Sequence, residues 1–174
     1  MFMIKENIAQ KEEIEKLYKR VEMVYGKVPE QIKLLANIDI SYAKDFLKMI
    51  ISVIKHPTID ADIFAFVRLH LASKHCSLFC IDYNREFLLA KGYASEILDL
   101  VITDIENIPS SPEQKALAVF TIKGFDTPTQ CRQADFDTLY EMGWSQKDLF
   151  DILSHTGTFL SNSQLLNIYM KKED

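Results

Sequence analysis

The chain has 174 residues, enough to bury a sizeable core in one domain, and 48% of them are hydrophobic. With only five glycines and five prolines the composition suits a helical globule rather than a disordered or repeat protein. A net charge of −5 without any basic block argues against nucleic acid as a partner. No run approaches eighteen uninterrupted apolar residues, the N-terminus lacks a signal-peptide pattern, and three cysteines cannot complete a disulfide framework. The expectation is a cytoplasmic protein with no membrane partner.

Residues 7–25 place Ile14, Leu17, Tyr18, Val21, Val24 and Tyr25 at helical spacing between lysines and glutamates, the pattern of an amphipathic helix with a solvated charged face. Gly26 stops it. Pro29 suits the first turn of a short helix carrying Ile32, Leu34 and Leu35. Residues 41–55 repeat the pattern through Ala43, Phe46, Leu47, Ile50 and Ile54, and Pro57 ends that helix.

Thr58 or Asp60 can open the next one, and the stretch it opens is the centre of the chain. Ile63, Phe64, Phe66, Val67, Leu69 and Leu71 leave little polar face, which predicts a helix buried nearly all round. A break at His75, Cys76 and Ser77 follows. Ser77 is a good N-cap for a second helix whose first turn is Leu78, Phe79 and Cys80, and Gly92 supplies its left-handed terminus. A thiol in a first turn faces unpaired backbone N–H groups, a setting that favours thiolate. Two of the three cysteines and two of the four histidines fall between His70 and Cys80.

Residues 95–106 predict a further helix with Ile97, Leu98, Val101, Ile102 and Ile105 inward. Ser111, Pro112 and Glu113 form the clearest helix start in the chain, and Gly124 with Pro128 breaks that helix before another at 133–142. Ser145 and Asp148 make a capping-box-like pair at the head of the last helix, which runs through Leu149, Ile152, Leu153, Phe159, Leu165 and Leu166 to a charged tail. No segment sustains period-two alternation, so the fold class is all-α, read as a single domain over 1–174 with its core helices at about 59–92.

The pair of helices around 62–92 resembles the core of the AhpD-like, carboxymuconolactone decarboxylase family, and the lead-in YGKVPEQIKLLAN resembles its longer, peroxidase-related branch. Thiol-active members carry a Glu twelve residues before a Cys-x-x-Cys-x-x-x-His. Matched residue by residue, the second motif cysteine is Cys80, the first falls on Ser77, the histidine on Asn84 and the glutamate on Ala65. The resemblance implies an AhpD-like multi-helix bundle that is homo-oligomeric. It also implies a thiol-dependent hydroperoxide reductase (peroxiredoxin activity, an antioxidant role) served by a small hydroperoxide and a dithiol reductant. No cofactor is assigned from the residues.

The residues leave two readings open. In one, Cys80 is the reactive thiol, Cys76 an offset resolving thiol, and Ser77, Asn84 and His75 the polar shell, with His75 supplying the base that Asn84 cannot. In the other, Cys76 and Cys80 are buried, inert thiols in a non-redox, small-molecule-binding or structural oligomer of the same fold. His70, His75, Cys76 and Cys80 are zinc-type ligands without a second ligand pair at finger spacing, so no metal is assigned. His70 on an apolar helix is the mark of a hydrogen-bonded core histidine, and His155 has no partner in sequence, which makes core or interface its default. Asp82 and Glu86 read as solvated, Cys131 as incidental.

Overall fold

The structure is a computed structural model describing residues 3–75 and 78–170; the side chains of Val24 and Tyr25 also lie outside the described residues. The described residues form nine α-helices and no strand. They are α1 (Lys11–Tyr25), α2 (Glu30–Ile38), α3 (Ile40–Ile54), α4 (Ala61–Lys74), α5 (Leu78–Ala90), α6 (Ser95–Thr103), α7 (Pro112–Asp126), α8 (Gln133–Glu141) and α9 (Gln146–Tyr169), with short 3-10 turns at Ile8–Gln10, Ile105–Asn107 and Pro128–Gln130. The chain clusters into two compact units, one of residues 1–52 with 164–174 and one of residues 53–163.

The first unit is held by the apolar faces that the periodicity predicts. Ile14, Leu17 and Val21 of α1 meet Ile32, Leu35 and Ala36 of α2 and Ile40, Ala43 and Phe46 of α3, all buried. Asn7 shortens α1 relative to the 7–25 expectation: its side chain accepts from Gln10 N at 3.2 Å, capping a 3-10 turn before α1 begins. Gly26 closes α1 at φ 72°, its N–H on Glu22 O. Pro29 is the residue before α2 rather than inside it, with extended ψ of 141°.

The second unit is built around α4, which packs on α5, α6 and α7. Nine of its residues are buried, among them Phe64, Ala65, Phe66 and His70, as expected for a helix without a polar face. Asp60 stands at its N-cap. The helix after it closes on Gly92 at φ 94°, a conformation that favours glycine. The helix predicted over 95–106 stops at Thr103 because Asp104 leaves helical geometry and its carboxylate accepts from Glu106 N at 3.0 Å, starting a new turn. Gly124 does not break α7, which runs on to Asp126. A Cβ there would meet Leu153 Cδ2 of α9 at 3.5 Å, an ordinary van der Waals contact, so the position packs against α9 within a continuous helix. The Ser111 cap with Pro112 at N1 is formed, and so is the Ser145–Asp148 box: Ser145 N donates to Asp148 Oδ2 at 2.8 Å and Asp148 N to Ser145 Oγ at 3.2 Å.

Candidate functional site

Cys80 is the third residue of α5 and is 4% exposed, while Leu78 beside it faces solvent. Helical spacing sets Asn84 one turn on, on the same face, and Asn84 is 1% exposed. A buried carboxamide has to satisfy both ends. Its Nδ2 donates to Cys80 O at 2.7 Å, and its Oδ1 accepts from Arg68 Nε of α4 at 2.8 Å. Arg68 reaches further: its Nη1 lies 2.9 Å from His155 Nε2 on α9. One half-buried guanidinium thus ties the Cys80 helix to two others.

The chemistry of Arg68 decides the state of His155. A guanidinium only donates, so His155 Nε2 accepts and the ring proton sits on Nδ1. Burial, and then the Arg68 charge, push His155 down to about 3, so the ring is neutral at pH 7. Phe64 meets this ring edge to face, with centroids 5.2 Å apart. His155 Nδ1 is buried and has no hydrogen-bond partner among the described residues.

Among the residues singled out in sequence, the structure joins Cys80 and Asn84. His75 closes α4, exposed, with its N–H on Leu71 O at 3.1 Å. Cys76 and Ser77 lie outside the described residues, and with them the Cys76–Cys80 separation and the Ser77 cap. Ala65, aligned with the family's glutamate, is fully buried. His70 is a core histidine, its Nδ1 donating to Val101 O at 2.8 Å. Asp82 and Glu86 are exposed, and Cys131 is half-buried behind the Pro128–Gln130 turn. Among the described residues no group of three or more His, Cys, Asp or Glu is placed to hold a metal ion.

Arg68 escaped the sequence reading, while His155 was read as core or interface and is buried, but its partner was not foreseen. Arg68 did carry a signal, as the one full charge inside the apolar run IFAFVRLHLA: a charge on a helix buried all round has to find polar partners. The pairing with His155 carried none, because the two residues are 87 apart in the chain.

No family model matches the chain, and no curated protein does. Solved structures do. An uncharacterized peroxidase-related protein from Silicibacter sp. TM1040 superposes with a TM-score of 0.79 at 16% identity, over 92% of this chain and 85% of that one. A protein from Ralstonia eutropha JMP134, described as an alkylhydroperoxidase AhpD core and uncharacterized peroxidase-related protein, gives 0.79 at 19% identity, over 99% and 92%. The fold is therefore the all-α AhpD-like fold.

Proposed function

We propose that the chain is a thiol-dependent hydroperoxide reductase of the AhpD type, acting through Cys80 as a single AhpD-like domain over 1–174. The likeness to the Ralstonia protein over 99% of the chain supports the one-domain reading. The observation that carries the activity is the placement of Cys80 in the opening turn of α5, with that turn's carbonyl fixed through Asn84 to the Arg68 cation. The Cys80 thiolate attacks the outer oxygen of the hydroperoxide; the O–O bond breaks, the sulfur becomes a sulfenic acid, and the leaving alkoxide takes a proton from solvent to depart as the alcohol. The Cys76 thiol then displaces water to form the disulfide, and a dithiol reductant returns both thiols. His75, Ser77 and Asn84 make the polar shell in this reading. The protein works in the cytoplasm as a homo-oligomer, which sedimentation equilibrium would show as a mass above 20.1 kDa.

A second reading is favoured by Asn84 itself. Both ends of its amide are committed and it cannot carry a proton, while Ala65 offers no carboxylate. This reading is a non-redox, small-molecule-binding or structural oligomer of the same fold. Turnover of a small organic hydroperoxide with a dithiol reductant separates the two. Activity in the parent, abolished by Cys80→Ser, establishes the thiol enzyme. No activity in the parent, gained by a Ser77→Cys, Asn84→His, Ala65→Glu variant, establishes the non-redox reading.

A further inference from the structure

We propose that the outward side of α5 is a self-complementary docking surface, on which two copies of this chain pair their α5 helices antiparallel about a two-fold axis between Tyr83 and Asn84. The pairing rests on the homo-oligomer reading above and gives that oligomer its interface. α5 buries a narrow stripe, Cys80, Asn84 and Leu88, spaced four residues apart. Turned away from it, Leu78, Asp82, Arg85 and Leu89 follow at steps of four, three and four residues, the spacing of a seam between two packed helices. Both leucines stand out of the core, Leu78 73% and Leu89 43% exposed. The Asp82 carboxylate is exposed and has no hydrogen bond or ion pair among the described residues. Arg85 donates through Nη1 to Asp99 Oδ1 at 2.7 Å and through Nη2 to Ser95 Oγ at 2.5 Å, which leaves its Nε–H without an acceptor among the described residues. The order apolar, acidic, basic, apolar decides both the partner and its direction. Reversed, it is its own complement: antiparallel pairing sets Leu78 of one copy on Leu89 of the second and Asp82 on Arg85, each contact occurring twice. Parallel pairing would oppose carboxylate to carboxylate and guanidinium to guanidinium. In the antiparallel pair Arg85 serves Asp99 of its own chain and Asp82 of the second copy, a sharing for which the guanidinium has donors enough. Covering the leucines supplies the attraction, and the charges fix the register.

The test is sedimentation equilibrium of the full chain over a dilution series from about 1 to about 100 μM, the range in which a seam of this small size is expected to dissociate. The parent is expected to reach twice its 20.1 kDa or a higher even multiple. Asp82→Arg alone sets two cations against each other across the axis, and Arg85→Asp alone sets two carboxylates. Each is expected to weaken the pairing about tenfold or more. An equimolar mixture of the two variants is expected to recover the parent's affinity, because each then meets the opposite charge. Leu78→Glu, at an exposed position that leaves the core untouched, is expected to weaken the pairing likewise. A parent that stays monomeric throughout the series overturns this pairing and the homo-oligomer together. A parent oligomer that neither Asp82→Arg nor Leu78→Glu weakens, or a mixture no tighter than its components, overturns the pairing and leaves the homo-oligomer standing on another face. If Arg85→Asp, which gives up the Asp99 and Ser95 contacts, does not fold, Asp82→Arg and Leu78→Glu decide. None of these readouts depends on whether Cys80 turns over.

Discussion

Replacing Arg68 by methionine keeps the bulk of the side chain and removes the three-helix tie. Two buried acceptors lose their donor at once: Asn84 Oδ1 at 2.8 Å and His155 Nε2 at 2.9 Å. Each buried polar atom left without a partner costs about 1–3 kcal/mol, so the two together cost about 2–6 kcal/mol. Two effects offset part of this. The half-buried guanidinium no longer has to be desolvated, and His155 can exchange its tautomer. The expected loss is about 2–4 kcal/mol, read as a fall in the urea midpoint with an unchanged slope. The same logic makes a second expectation. In Arg68→Met/Asn84→Leu/His155→Phe no buried polar atom of the tie remains, and the triple variant is expected to be more stable than Arg68→Met alone. A single variant within about 0.5 kcal/mol of the parent, or a triple variant less stable than the single, would refute the account of the tie as a satisfied buried network.

Acid should act on the same cluster. Because the folded His155 sits at about 3 against about 6.5 when unfolded, the unfolded chain binds the extra proton between those values; stability is full above about pH 6.5 and falls as the pH drops towards 3. The slope this residue contributes is up to about 1.4 kcal/mol per pH unit, and His155→Gln should remove it in urea melts run from pH 4 to 7. Asp148 behaves in the carboxylate sense. Burial pushes it up, but hydrogen bonds from Ser145 and Thr58 more than compensate and hold it below its usual range. Its stabilisation is present above the unfolded value of about 3.9 and is lost as pH falls through the folded one. Asp148→Ala should cost about 1–2 kcal/mol at pH 7, measured in thermal unfolding, with a smaller difference at pH 3.

Much of the helical layout was legible along the chain, since its punctuation is local chemistry. Gly26, Gly92 and Gly143 take positive φ at three helix ends, Ser111 caps α7 with Pro112 behind it, and Ser145 pairs with Asp148, all within a few residues of sequence. The all-round burial of α4 and the core role of His70 also follow from the apolar run itself, because nothing in it offers a solvent face. What the sequence left undecided depends on packing. Gly124 looks like a helix breaker in sequence, yet α7 runs through it, packed within van der Waals reach of Leu153 on α9. Ile105 fits the helical pattern of 95–102, yet the Asp104 carboxylate redirects the chain into a separate turn. The polar cluster beside Cys80 is the clearest case. Asn84 is 16 residues from Arg68 and His155 is 87 from it, so neither distance shows as a period, and a hydrogen bond across three helices exists only once their axes are placed. Spacing therefore pointed to Cys80 and Asn84 on one face of a helix, while the cation that holds them and the neutral imidazole behind it came from tertiary structure alone.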